Sequence, residues 1–172
     1  MSAESNPIST GAVHHLRLTV TDVQRSQQFY TGVLGFQVAM ELPPGVLLTN
    51  GTVLLGLAPS PDPGRASSGD RFDENRVGLD HLSFTAGNRD ELERAVQVFN
   101  QHGVQHSGVV DLGAGLGLYV LPFRDPDGIQ LEITAPWGLL RRALGSVGVA
   151  LFASFASRCR PTQPGWLIGL PR

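Results

Sequence analysis

Two stretches of this chain repeat one another in order and patterning, and any fold assigned to it has to account for both halves. The first begins at Val13-His14-His15-Leu16-Arg17-Leu18-Thr19-Val20 and the second at Leu79-Asp80-His81-Leu82-Ser83-Phe84-Thr85-Ala86. In each, apolar and polar residues alternate with the period of a strand that has two different faces. Leu16, Leu18 and Val20 alternate with His15, Arg17 and Thr19, and Leu82 and Phe84 with His81, Ser83 and Thr85. A helix follows in each half. Asp22 is placed to cap one that carries Phe29, Tyr30, Val33 and Leu34 on its apolar side and ends near Gly35. Asn88, with Glu91 three residues later, makes a capping-box-like start to the other, in which Leu92, Ala95, Val96 and Phe99 recur at helical spacing until Gly103. Further strands are expected around Val46 to Leu48 and Val53 to Leu57, and around Leu118 to Leu121 and Ile129 to Thr134. The last two are separated by the turn chemistry of Asp125-Pro126-Asp127-Gly128.

A chain of 172 residues suits one domain with a real core. The expected division is a disordered tail over 1–10, one domain over 11–136, and a C-terminal tail over 137–172. Within the domain, module one covers 11–60, a linker 61–76 and module two 77–136. Ala58 to Arg76 is rich in Pro, Gly, Ser and charge and reads as a linker or a mobile loop over the site. Residues 1–10 lack the basic start and apolar run of a secretory signal. The apolar stretch from Val147 to Phe155 is far shorter than the roughly 20 residues of a membrane span, so a short packed or interfacial helix is expected there. A net charge of -2 offers no broad basic surface, which argues against nucleic acid as a partner. The single cysteine, Cys159, excludes an internal disulfide and a cysteine-based zinc site, and fits a reducing cytoplasm.

Side chains at i and i+2 share a strand face, which groups His15 with Arg17 and Thr19, His81 with Ser83 and Thr85, and Glu132 with Gln130 and Thr134. Each group lies on the face its strand does not use for helix packing. Two imidazoles and one carboxylate suit a borderline divalent metal and leave positions open for a substrate. The bland alternative is that these groups serve only as hydrogen-bonding residues in a metal-free cup. Arg17 would stand beside the metal, either paired with a carboxylate such as Glu41 or waiting for an anionic ligand. Thr19 and Ser83 join it as candidate substrate contacts. Tyr119 and Phe123 are candidates for stacking on a substrate, although aromatic residues in strands more often fill a core. Asp125 and Asp127 read as turn residues, not as an acid–base pair. Gly113, Gly115 and Gly117 form a loop without the helix and basic residue of a phosphate cradle. His14, His102 and His106 have no place in the repeat and are left outside the site.

From Gly11 to Trp137 the chain resembles the vicinal oxygen chelate superfamily, which includes glyoxalase I, extradiol dioxygenases, fosfomycin-resistance thiol transferases and bleomycin-binding proteins. The resemblance rests on His-Leu-Arg-Leu-Thr-Val followed by Asp22, on Phe29-Tyr30 to Leu34-Gly35-Phe36, on the second His-Leu-Ser-Phe, and on Asp-Pro-Asp-Gly-Ile-Gln-Leu-Glu. It implies an α+β fold in which two βαβββ modules form a curled mixed-sheet cup around a metal. Position by position, it implies metal ligands at His15, His81 and Glu132, and it puts Gly56 where glyoxalase I-like members have a fourth ligand. Thr19, Arg17 and Pro122 replace residues typical of glyoxalase I, of fosfomycin transferases and of dioxygenases respectively, so no single named activity is matched in full. The function implied is that of a divalent-metal-dependent enzyme acting on a small substrate chelated through neighbouring oxygens. Fe(II) or Mn(II) leads, with Zn(II) or Ni(II) as alternatives. The alternative function is a non-catalytic protein that binds a small molecule, such as an antibiotic, in the same cup. A homodimer is expected, with modules paired within one chain or exchanged between two. No general base is identifiable.

Overall fold

The computed structural model describes residues 9–66 and 69–138. The expected apolar helix at 147–155, Cys159 and most of both expected tails lie outside the described residues. The chain divides into two compact units, one ending at Asp70 and the other beginning at Arg71, and the boundary falls inside the expected linker.

The first unit runs β1 (His15–Thr19), α1 (Val23–Gly32), β2 (Gln37–Leu42), β3 (Gly45–Thr49) and β4 (Leu54–Ala58). Its sheet has the order β1-β4-β3-β2, with β1 parallel to β4 and the other pairs antiparallel. Helix α1 begins where Asp22 accepts the Arg25 N–H at 3.0 Å. It ends earlier than Gly35: the helix stops at Gly32, and Gly35 takes up a left-handed conformation (φ 70°) while the Phe36 N–H returns to the Tyr30 carbonyl. Leu18, Leu48, Leu55 and Leu57 from the sheet and Tyr30 from the helix are buried together with Phe36. Because His15, Arg17, Thr19, Leu54 and Gly56, at odd offsets from them, are exposed or half-exposed, one face of the sheet is committed to α1 and the other is largely open.

The second unit repeats the order with β5 (Leu82–Thr85), α2 (Arg89–His102), β6 (Val110–Asp111), β7 (Leu118–Arg124) and β8 (Gln130–Pro136). Its sheet order, β5-β8-β7-β6, and its single parallel pair, β5 with β8, are those of the first unit. Asn88 caps α2 by accepting the Glu91 N–H, while the Glu91 carboxylate reaches back to the Gly87 N–H at 2.5 Å, one residue before the position of a standard capping box. Gly103, left-handed at φ 65°, closes the helix, with the Val104 N–H on the Phe99 carbonyl. Leu92 and Phe99 bury the apolar stripe of α2 against Leu121, Phe123 and Leu131. The repeat legible in the sequence is thus a pair of βαβββ units, and the fold class is α+β. Among the described residues no helix is long and apolar enough to cross a membrane.

Candidate metal and substrate site

On the open face of the first unit, strand register puts Arg17 beside Gly56, and Gly56 beside Leu47 and then Met40. His15 pairs with Leu54 on the same face. A hollow of about 360 Å³ lies over this face, with His14, His15 and Arg17 on one side and Leu42, Pro44, Leu47 and Leu54 among its apolar walls. Sequence reasoning leaves His14 out, yet its Nδ1 lies 3.0 Å from the His15 Nδ1, which leaves the His15 Nε2 as the outward nitrogen. Thr19 follows on the same exposed face of β1, beside Ala58.

Glu41 does not partner Arg17. Its register neighbours are Val46 and, beyond it, Leu57, which belong to the helix-facing side of the sheet. Among the described residues Arg17 has neither a hydrogen bond nor an ion pair. Its stem instead lies along the sheet, where a Cβ at Gly56 would meet its Cβ and Cγ at 3.6 and 3.5 Å.

On the open face of the second unit, Ser83 stands directly beside Glu132, and Thr85 beside Thr134. The Ser83 hydroxyl donates to Glu132 Oε1 at 3.0 Å and the Thr134 hydroxyl donates to the same oxygen at 2.7 Å. The two hydroxyls are themselves 2.6 Å apart. One carboxylate oxygen is therefore fixed from two sides, and Oε2 is the oxygen left to act outward. His81, two residues before Ser83, has its Nδ1 2.5 Å from the Asp80 carboxylate. In the tautomer that donates from Nδ1 to Asp80, Nε2 is the nitrogen that carries the lone pair. Asp80 and Thr134 are missing from the sequence-based site. Thr134 carried a signal, since its parity matches that of Glu132; Asp80 carried only adjacency.

Tyr119 and Phe123 lie on the helix-facing side of their sheet, the core position the sequence favours for one of them. Their register partners are Ala135 and Leu131, both fully buried on the α2 side, so both rings project away from Glu132. Phe123 is fully buried with its ring 4.6 Å from that of Phe99. Tyr119 lies under the Arg89 guanidinium at 5.3 Å and against Trp137 at 6.0 Å. These are packing contacts of the module. The aspartates behave as turn residues: buried Asp125 accepts the N–H groups of Asp127 and Ile129 at 2.9 and 2.8 Å. His106 is likewise structural, with Nε2 on Asn100 and Nδ1 accepting the Gly108 N–H. Among the described residues, no group of three or more His, Cys, Asp or Glu side chains is drawn together in a way that could hold a metal ion.

The model of the Glyoxalase/Bleomycin resistance protein/Dioxygenase superfamily matches residues 12–133, which span both βαβββ units. The chain belongs to this superfamily. It is 30% identical over 129 residues to the uncharacterized protein YwkD of Bacillus subtilis, covering 71% of this chain and 94% of that one. Among solved structures, the glyoxylase/bleomycin resistance protein/dioxygenase domain from Frankia sp. EAN1pec is similar with a TM-score of 0.60 and 27% identity. The match covers 74% of this chain and 99% of the domain. The lactoylglutathione lyase from Agrobacterium tumefaciens shares the fold with a TM-score of 0.58 at 23% identity, over 73% of this chain and 94% of its own. The glyoxalase superfamily includes enzymes, and this member keeps polar, chemically competent groups on the open face of each module.

Proposed function

We propose that the protein is a divalent-metal-dependent enzyme of the glyoxalase/dioxygenase type, with His15, His81 and Glu132 as the metal ligands. The observation that carries this reading is the fixed state of Glu132. Two hydroxyls hold Oε1, and this outer support is what a ligating carboxylate needs to present its other oxygen in one orientation. Asp80 gives His81 the same support. The donor set, two imidazole nitrogens and one carboxylate oxygen, fits Fe(II) or Mn(II), and less specifically Zn(II) or Ni(II). When bound, such an ion supplies Lewis-acid stabilisation of charge developing on substrate oxygens. The chain's own groups hold and orient: Ser83 and Thr134 set the Glu132 carboxylate, Asp80 sets the His81 tautomer, and Arg17 and Thr19 line the face on which a small substrate with neighbouring oxygens would rest.

The working form is proposed to be a cytoplasmic homodimer. Val38, Met40 and Leu42 on the outer strand β2 are 44–55% exposed, and an apolar edge strand of this kind calls for cover. The single cysteine fits a reducing compartment. The test is metal content by mass spectrometry after anaerobic purification, beside a Glu132→Ala control. Near-stoichiometric metal in the parent and little in the control is the expected result. If the parent stays empty after added Mn(II), Fe(II), Zn(II) and Ni(II), the metal reading is overturned and a metal-free small-molecule binding protein replaces it.

A further inference from the structure

The open face of module one carries a cation and an apolar hollow and, among the described residues, no carboxylate. Arg17 is exposed and, among the described residues, has no hydrogen-bonding or ion-pairing partner. Among the described residues neither Asp nor Glu lines the hollow; Leu42, Pro44, Leu47 and Leu54 do, together with His14, His15 and Arg17. The volume of about 360 Å³ is at the small end for ligand pockets, which suits a compact ligand with one charged end.

Gly56 is what keeps the cation available. It is the cross-strand neighbour of Arg17, and directly opposed side chains on neighbouring strands interact. An acidic residue at 56 would neutralise Arg17. Glycine leaves room for the Arg17 stem, whose Cβ and Cγ lie 3.6 and 3.5 Å from where a Cβ would stand. The stem is thereby laid on the sheet while the planar guanidinium, a fork matched to carboxylate oxygens, is left for an incoming group.

We infer that this hollow takes a carboxylate joined to an apolar segment, the carboxylate on Arg17 and the apolar segment over Leu47 and Leu54, and that the substrates of the enzyme carry this group besides the neighbouring oxygens that the metal would meet. The assignment of substrate class rests on the function proposed above, since His15 projects from the same face two residues away. Binding itself draws only on residues of module one and needs no metal.

The experiment is calorimetric titration of the full chain, freed of metal with a chelator, with butyrate, hexanoate, octanoate and the uncharged octanamide. Affinity is expected to rise with chain length, by up to about fourfold for each methylene buried. Octanamide is expected to bind at least about tenfold more weakly than octanoate. Arg17→Gln is expected to bring octanoate down to the level of octanamide and leave octanamide unchanged. Gly56→Asp, which sets a carboxylate opposite Arg17, is expected to do the same with Arg17 intact. Octanoate that fails to bind, binds no better than octanamide, or is indifferent to both variants would overturn the inference. Because no metal is present, that result leaves the metal content of the parent and of Glu132→Ala to be judged separately.

Discussion

At the scale of single residues, the informative contact is the triangle of Ser83, Thr134 and Glu132. Ser83 stands on β5 and reads from the sequence as a substrate contact, but its hydroxyl is engaged with the carboxylate beside it. If Glu132 ligates a metal, Ser83 and Thr134 are positioning residues, and removing both hydroxyls loosens the ligand without removing it. The double variant Ser83→Ala with Thr134→Val is expected to weaken Mn(II) binding by about 10- to 100-fold, measured by competition with a chromophoric chelator. The melting temperature of the metal-free protein should barely move, because Ser83 is exposed and Thr134 only half-buried. Unchanged metal affinity would mean that the hydroxyls do nothing for the ligand. The alternation on β1, β5 and β8 made His15, Ser83 and Glu132 legible in the sequence, since each strand is apolar on one side only. Tyr119 and Phe123 were not legible in the same way. On β7 Val120, Leu121, Pro122 and Phe123 form an uninterrupted apolar run, so periodicity does not say which ring meets the helix.

At the scale of elements, both helices were readable from their caps, because Asp22, Asn88 and Gly103 each do one local job that the backbone demands. Strands β2 and β6 were not. Every residue of β2 is exposed and β6 has only two residues, so neither leaves the contrast of buried and solvated positions from which a strand is read. The connector before β5 holds a tie that no pattern predicts: Glu74 and Arg124 are joined through both carboxylate oxygens, at 3.1 and 2.7 Å, and the same guanidinium donates to the Gly128 carbonyl at 2.9 Å. This fastens the connector to the β7–β8 turn. Hydrogen bonding from Arg124 holds the Glu74 carboxyl below its ordinary value of 4.5. A carboxyl with a depressed folded-state pKa contributes stability that is complete above the unfolded value and is lost as pH falls through the folded one. The parent should therefore melt above Glu74→Gln near neutrality, and the gap should shrink as the pH is taken below 4.5. A gap that stays constant across thermal scans down to about pH 3 would show that the ionised tie is not its source.

At the scale of the whole molecule, the proposed ligands are divided between the two repeats, His15 in the first and His81 and Glu132 in the second. Neither βαβββ unit therefore holds the full proposed set by itself, and the proposed chemistry requires two of them. The same sheet order gives each unit an open face beside its parallel pair, and in the proposed scheme the missing ligands come from the chain's own second module or from that of a second copy. Subunit mixing separates the two arrangements. Take His15→Ala and Glu132→Ala, each unable to hold metal in the proposed scheme, and let their subunits exchange. In an exchanged homodimer, each mixed dimer has one site with both defects and one site with none. About a quarter of all sites should then regain metal at equal mixing, counted from the symmetry of the dimer. We expect that recovery, since an exchanged dimer also gives the exposed apolar strand β2 a second chain to meet. Failure of the fully exchanged mixture to bind any metal, while the unsubstituted protein binds it, would place all three ligands within one chain and leave the dimer without a part in the site.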